Sequence, residues 1–414
     1  MIQRPRGTRD FTPSEMEARR QLEGLFRREA ELCGFREIST PVFEHTELFT
    51  IRSGQGIIEE IYAFQDKGGR QIALRPELTA PAMRFFVNEL TNLPRPLKLF
   101  YFGPCFRYER PQSGRFREFY QFGAELIGAP NPESDAEVIG LAAAMIRRSG
   151  LKDFTVRIGH IGILRAKLQG AGVAQEEASP ILQKLDKKLP DEARPLMLQA
   201  GMGEEAIEDV IATTQVIGPP GLLSHHPGEA TDHLKEVFAI LEDYGLKDLQ
   251  VDLGVVRGLD YYTGIVFEVD APSLGAEKQI CGGGSYSLTE LFGGERVFST
   301  GFAIGFDRTL LALEREGMAP SAIRLQAYVV PASPDMRHKA FELVGQLRRA
   351  GISADVDLMR RSVGRNLKYA DAIGARYVII VGEKEWAQGG VALRDLASGE
   401  QDLVQHDRLL ERIM

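Results

Sequence analysis

The spacing of apolar positions lays out the elements. Ala18, Leu22, Leu25, Phe26, Ala30 and Cys33 recur at helical intervals up to Gly34, and Ser14 with Glu17 three residues on reads as a capping box, so a helix is expected there. Residues 35–43 alternate like a strand, and Pro41 suits a sheet edge, a strand end or an interface. Two strand-like runs, 97–109 and 116–126, flank Arg110-Pro111-Gln112-Ser113-Gly114-Arg115 and predict a long β-hairpin with a basic tip. Residues 161–244 turn helical and polar, with breaks at Pro180, Pro190, Pro195, Pro219, Pro220 and Pro227, as in an inserted helical module. Strands resume at 251–256 and 265–269, followed by Gly282-Gly283-Gly284 and by Gly301–Gly305, which leads into a helix near Asp307.

From Gln326 strands (327–331, 352–358, 377–381) alternate with helices (334–350, 363–373), and two short strand-like runs follow. The class expected is α+β: an antiparallel core with helices to one side, formed by residues 1–160 and 245–322. Residues 161–244 would be a helical insertion, and 326–414 a small, mostly parallel α/β domain.

Composition narrows the function classes. With 414 residues, 43% hydrophobic and 26% charged, the chain is neither disordered nor fibrous. No apolar run nears the ~18–20 residues of a membrane span, and the first residues lack a signal-peptide core. Cys33, Cys105 and Cys281 have neither CxxC nor disulfide-framework spacing, so a reduced, cytoplasmic protein is expected. Net charge is −8, which means that any contact with a polyanion must use local basic patches. The charge is uneven, since from Arg324 onward 14 basic side chains stand against 12 acidic ones, which hints at a tail domain with a separate partner.

Several motifs carry little. Gly201-Met202-Gly203-Glu204-Glu205-Ala206 fits a loose dinucleotide pattern without a preceding strand, and no P-loop is present. His160-Ile161-Gly162-Ile163 reads as a strand-to-helix turn, and His225, His226, Glu229 and His233 as a solvated loop without metal-site spacing. The hairpin says more. Arg107, Arg110, Arg115 and Arg117 read either as a solvated face paired to Glu109 and Glu118 or as a permanently charged fork set suited to phosphates. Phe119, Gln121, Gly123 and Glu125 share one face of the second strand, a polar row that either a ligand of matching polarity or solvent would satisfy.

These residues resemble a known family. Phe106-Arg107-Tyr108-Glu109 followed by Arg117-Glu118-Phe119 is similar to motif 2 of class II aminoacyl-tRNA synthetases, and 301–308 to their motif 3. The first helix with 35–41 resembles motif 1, the dimer element. Arg6-Gly7-Thr8-Arg9-Asp10, Arg75-Pro76-Glu77-Leu78-Thr79 and Arg257-Gly258-Leu259-Asp260-Tyr261-Tyr262 resemble histidyl-tRNA synthetases in particular. The resemblance implies activation of L-histidine by ATP, with Mg2+ on the phosphates and no metal in the protein, then transfer to tRNA(His) by a homodimer.

It also implies roles. Glu77 and Thr79 would take the substrate ammonium, and Glu125 and Tyr262 the imidazole, with Gln121 and Tyr261 beside it. Arg107 and Arg257 would serve the reacting carboxylate and α-phosphate, Phe119 the adenine, and Glu109, Arg115 and Arg308 the rest of the nucleotide. Arg110 and Gln112 would reach the tRNA acceptor end, while Arg361, Arg365 and Lys368 would meet the anticodon side.

Ser285 and Ser287 stand where the family commonly has arginine and aspartate, which implies a rearranged pocket wall or a decayed site. Tyr120 replaces a histidine often found before the motif 2 glutamine. The rival reading is a histidine sensor, the regulatory subunit of ATP phosphoribosyltransferase, which would normally lack both the tail domain and the Arg257–Tyr262 signature.

Overall fold

The computed structural model describes residues 2–53, 55–108, 115–247, 249–255, 262–320 and 325–413. The chain divides near residue 320 into two compact units.

In the first unit, helix α1 (Pro13–Leu32) is capped by Thr12, not Ser14. The Thr12 amide donates to Glu15 Oε2 at 2.6 Å while the Glu15 amide reaches Thr12 Oγ1, and Pro13 fills the first turn, so the box lies two residues before the Ser14–Glu17 pair. The strand expected over 35–43 shrinks to β1 (Arg36–Glu37). Its continuation is taken over by a side chain: the buried Arg75 guanidinium collects the carbonyls of Thr40 and Pro41 at 2.8 and 3.2 Å, leaving no ladder to extend. A small antiparallel sheet follows, in which β4 (Gln71–Leu74) lies between β2 (Phe43–His45) and β3 (Ala63–Gln65), beside helix α2 (Glu47–Ser53).

Helix α3 (Thr79–Phe85) precedes the hairpin of β5 (Leu97–Phe106) and β6 (Glu118–Ile127), and α4 (Pro132–Arg148) leads to β7 (Thr155–His160). The helical segment is α5 (Ile161–Gly170), α6 (Gln175–Asp186), α7 (Pro190–Gln199) and α8 (Glu204–Thr213), then β8 (Ile217–Gly218) and α9 (Glu229–Asp243). Apart from Ile163, the buried apolar residues of α5–α8 join one cluster, whereas Leu234, Val237 and Leu241 of α9 pack with those of α4 in another. The remaining elements are β9 (Leu249–Asp252), β10 (Tyr262–Asp270), β11 (Gln279–Tyr286), β12 (Ser299–Gly305) and α10 (Phe306–Arg315).

Among the described residues one nine-stranded sheet runs β1-β5-β6-β12-β11-β10-β7-β9-β8, antiparallel except at β1–β5 and β7–β9. Strand alternation sorts its two faces. Phe100, Phe122 and Ala124 pack under α1, α4 and α10, with Phe26 edge-on to Phe122 and Phe306. Gln121, Glu125 and Tyr286 line a cleft that lies on the opposite side, with Tyr101 bonded to Glu125. No helix of the described residues is long and apolar enough to cross a membrane.

The second unit has β13 (Ala327–Pro331), α11 (Arg337–Arg349), β14 (Ala354–Val356), α12 (Val363–Ala372) and β15 (Tyr377–Val381). It ends with α13 (Glu383–Ala387), β16 (Gly390–Asp395), β17 (Gln401–Gln405) and α14 (Leu409–Ile413). Strands β14-β13-β15 are parallel, and β15-β16-β17 antiparallel, so the sheet is mixed rather than mostly parallel. The connection from β16 to β17 is a short turn, which permits only antiparallel pairing.

Candidate active site

At the foot of the cleft Glu125 is 1% exposed, and each of its oxygens already accepts a phenol: Tyr101 donates at 2.6 Å to Oε1 and Tyr286 to Oε2. Two absent side chains make the room. Glu125 faces Gly301 across β6–β12, where a Cβ would lie 1.7 Å from Oε2; Tyr101 faces Gly123, where a Cβ would lie 2.4 Å from its ring. Burial pushes the Glu125 carboxyl up to about 7, against hydrogen bonds from Tyr101, Tyr286 and Thr79 that hold it down, while the charge of Glu77 adds to the rise. Burial first, then Glu125, raises Tyr101 well above the usual phenol range. A carboxylate has about four lone-pair positions, so after two phenols Glu125 can still accept from a ligand N–H.

Above it, Glu77 accepts the Thr79 and Ala80 amides at 2.6 and 3.1 Å, which fixes the carboxylate at the start of α3. The Thr79 hydroxyl lies 3.1 Å from that of Tyr101, linking the α3 end to the Glu125 network. Gln121 Oε1 accepts from Cys105, whose thiol burial pushes up to about 12, so that this cysteine stays protonated.

Arg107 Nε donates to the Pro76 carbonyl at 3.0 Å, and its guanidinium sits 5.1 Å from the Phe119 ring centroid. Arg308 donates to the Gln279 carbonyl at 2.8 Å, and Arg308 and Arg115 both pair with Glu277. Asp307 ties the floor together: Oδ1 takes Arg9 and Arg19 at 2.5 Å each, and Oδ2 takes the Tyr120 amide at 2.6 Å. The cleft of about 440 Å³ is lined by Glu77, Thr79, Arg107, Arg115, Phe119, Gln121, Glu125, Tyr262 and Arg308 together. Each of those nine was singled out from sequence.

Glu109, Arg110, Gln112, Arg257 and Tyr261 lie outside the described residues. Arg361, Arg365 and Lys368 belong to the second unit. Arg365 and Lys368 are exposed three apart on α12, whereas Arg361 lies over the Tyr369 ring at 4.1 Å, with its amide donating to Asp357 at 2.7 Å. His160 caps α5 through Nδ1, as the strand-to-helix reading expects, and His233 pairs with Asp135 at 2.8 Å. Among the described residues no three His, Cys, Asp or Glu side chains group as a metal site.

Ser285 faces away from the cleft and donates to buried Asp135 of α4 at 2.7 Å, while the next residue, Tyr286, turns inward to Glu125. Ser287 Oγ reaches the Val297 carbonyl at 3.5 Å. Tyr120 likewise points away from Gln121, packing on Phe102 and under Arg19. Sequence reasoning missed Tyr101, Tyr286, Glu277 and Asp307. Only Tyr101 had a readable signal, since it alternates with Leu99 and Gly103 on the face of β5 that pairs with the polar row.

A family model described as Histidyl-tRNA synthetase matches residues 7–309, and one described as Anticodon binding domain matches 326–414. The histidine–tRNA ligase of Archaeoglobus fulgidus is 44% identical over 412 residues, covering 99% of this chain and 98% of its own. The crystal structure of histidyl-tRNA synthetase from Nostoc sp. PCC 7120 superposes with a TM-score of 0.85 at 26% identity, over 100% of this chain and 99% of that one. An ATP phosphoribosyltransferase regulatory subunit/histidyl-tRNA synthetase from Bacillus halodurans superposes with a TM-score of 0.79 at 26% identity, over 92% of this chain and 98% of that one. With the match spanning nearly the whole chain, it belongs to the histidyl-tRNA synthetase family.

Proposed function

We propose that this chain is a histidine–tRNA ligase whose cleft reads imidazole with Glu125 and runs adenylate chemistry with its arginines. One observation carries the reading: a fully buried carboxylate, held by two phenols, at the foot of a cleft whose upper walls carry Arg107, Arg115 and Arg308. An acceptor at that depth favours a side chain with an N–H to give. Amino acids without one leave its remaining acceptor position unfilled beside the two phenols, a discrimination worth up to ~10⁴-fold.

Histidine's ammonium goes to Glu77 and Thr79, and its ring to Glu125, Tyr262, Gln121 and Tyr261. Phe119 stacks on adenine, Glu109 and Arg107 hold the nucleotide, and Arg115 and Arg308 take the outer phosphates. The substrate carboxylate oxygen attacks the α-phosphorus and pyrophosphate leaves; Arg107 and Arg257 stabilise charge on the phosphoryl oxygens. Such fixed donors contribute ~3–4 kcal/mol each. Mg2+ enters on the triphosphate, whose oxygens hold it and whose charge it offsets. The terminal ribose hydroxyl of tRNA(His) then attacks the histidyl carbonyl and AMP leaves.

Arg110 and Gln112 serve the acceptor end, and Arg361, Arg365 and Lys368 the anticodon side. Residues 1–160 and 245–322 form the catalytic core, 161–244 an insertion, and 326–414 the anticodon-binding domain. Exposed Val42, Phe43 and Phe64 on the small sheet support a homodimer. A cytoplasmic location fits the reaction.

The test is ATP–pyrophosphate exchange with each of the twenty amino acids. Exchange with histidine alone is expected, and exchange driven by another amino acid refutes the reading. A histidine sensor, as half of the Bacillus halodurans protein's title names it, would bind histidine and exchange nothing.

A further inference from the structure

Arg115 and Arg308 meet on a carboxylate. Glu277 Oε2 accepts from Arg115 Nε at 3.2 Å and from Arg308 Nη2 at 3.0 Å, with Arg115 Nη2 3.1 Å away. Two guanidiniums thus converge on one anionic oxygen, the arrangement a phosphate oxygen would make.

The turn that carries Glu277, Pro272–Glu277, is braced at both ends. Arg315 donates to the Ser273 carbonyl at 2.7 Å from the same helix that carries Arg308. At the other end the Ala271 amide donates to the Lys278 carbonyl at 2.7 Å, and Lys278 Nζ lies 3.1 Å from Asp270. The carboxylate is therefore delivered to the arginines by fixed backbone. Its side chain keeps 36% of its exposure and that of Arg115 keeps 42%, so water and solutes reach the pair, and its exchange for another anion is cheap.

We propose that Glu277 is an internal stand-in for a nucleotide's outer phosphate, so that the cleft selects nucleotides by how well their phosphates displace it. This deepens the reading that Arg115 and Arg308 hold those phosphates, and it rests on that reading. Before nucleotide arrives, the carboxylate keeps two like-charged guanidiniums converged and aimed. A triphosphate brings more charge and more oxygens than one carboxylate and takes the fork over. A monophosphate does not extend to it and leaves the ion pairs in place. Glu277 is a specificity residue that acts by competition.

The experiment is histidine-dependent ATP–pyrophosphate exchange with Glu277→Gln, which keeps the shape and removes the charge, and with Glu277→Asp, which withdraws the carboxylate by one methylene. AMP is run as a competitive inhibitor of each. The expected result is a KM for ATP about 3-fold lower in Glu277→Gln, a smaller fall in Glu277→Asp, and an unchanged inhibition constant for AMP.

An unchanged or raised KM for ATP overturns the proposal, as does a KM restored by added Mg2+, which would make Glu277 a ligand for the nucleotide's cation. A parallel shift for ATP and AMP overturns it too, because that is what a merely structural side chain would give. If the unmodified protein gives no histidine-dependent exchange, the functional reading itself has failed; if it exchanges normally and the variants do not shift, only the stand-in has.

Discussion

Replacing Tyr286 with phenylalanine removes one of the two phenols on Glu125 without changing the volume of the site. Burial pushes this carboxyl to about 7, and the Tyr101, Tyr286 and Thr79 hydroxyls keep it from rising further. A hydrogen bond to a charged group is worth ~1.5–3 kcal/mol, and 1.36 kcal/mol corresponds to one pH unit, so the variant's carboxyl should titrate roughly 1–2 pH units higher. The assay is kcat/KM for histidine in ATP–pyrophosphate exchange between about pH 6 and pH 9. Glu125 accepts the imidazole N–H when ionised, so the unmodified protein gains with rising pH and levels off above about 7. The variant's curve should be displaced toward alkali, with a loss on the order of 10-fold at neutral pH that recovers near pH 9. Titration of free histidine is common to both curves and cancels in the comparison. A loss equal at every pH would refute the reasoning, because it would mean that Tyr286 does not govern the ionisation of Glu125.

The same carboxyl leaves a mark on stability. Its folded-state pKa lies above the ordinary 4.5, so folding takes up a proton between about 4.5 and 7. The contribution is complete below the lower value and lost as pH rises through the upper one, roughly 3 kcal/mol in all. Relative to Glu125→Gln, the unmodified protein should lose stability to urea as pH rises across that window, and parallel curves would contradict this. Gly301→Ala places a methyl carbon against Glu125 and the Ala124 carbonyl, so it should abolish histidine-dependent exchange and cost ~1–3 kcal/mol in urea unfolding; an active Gly301→Ala protein would show that the register across β6–β12 is looser than described. Asp307→Asn strips the counter-charge from Arg19, only 7% exposed, and should cost ~3–5 kcal/mol in the same measurement. A chain ending before Gln326 should keep exchange and lose tRNA charging, and equal loss of both would make the second unit structural.

What could be read from sequence was periodic. The polar row on β6 needed only alternation, and Glu125 and Gln121 fall on the cleft side while Phe122 and Ala124 go to the core. Elements set by local spacing were equally legible, as with β13 and β15, whose bounds match the reading. The capping box at α1 was misplaced by two residues because two overlapping Ser/Thr-x-x-Glu patterns compete there, and only the backbone decides.

Long-range pairing was the part that stayed hidden. Tyr286 reaches Glu125 from 161 residues away, and a tyrosine inside a strand carries no pattern that separates a packing ring from a hydrogen-bonding one. The face of Ser285 was hidden for the same reason: its departure from the family pattern is visible, but β11 register is what turns it toward Asp135. Arg75 was noticed as part of a motif, and its work of closing off β1 by taking two carbonyls has no sequence signature.

Whether the buried Glu125 carboxylate reads an imidazole is decided by a crystal structure of the protein with bound histidine. A ring nitrogen is expected within hydrogen-bonding distance, ~2.6–3.2 Å, of a Glu125 oxygen, with Tyr101 and Tyr286 still on that carboxylate. A histidine ring bound elsewhere in the cleft, with Glu125 paired only to its two phenols, would contradict it.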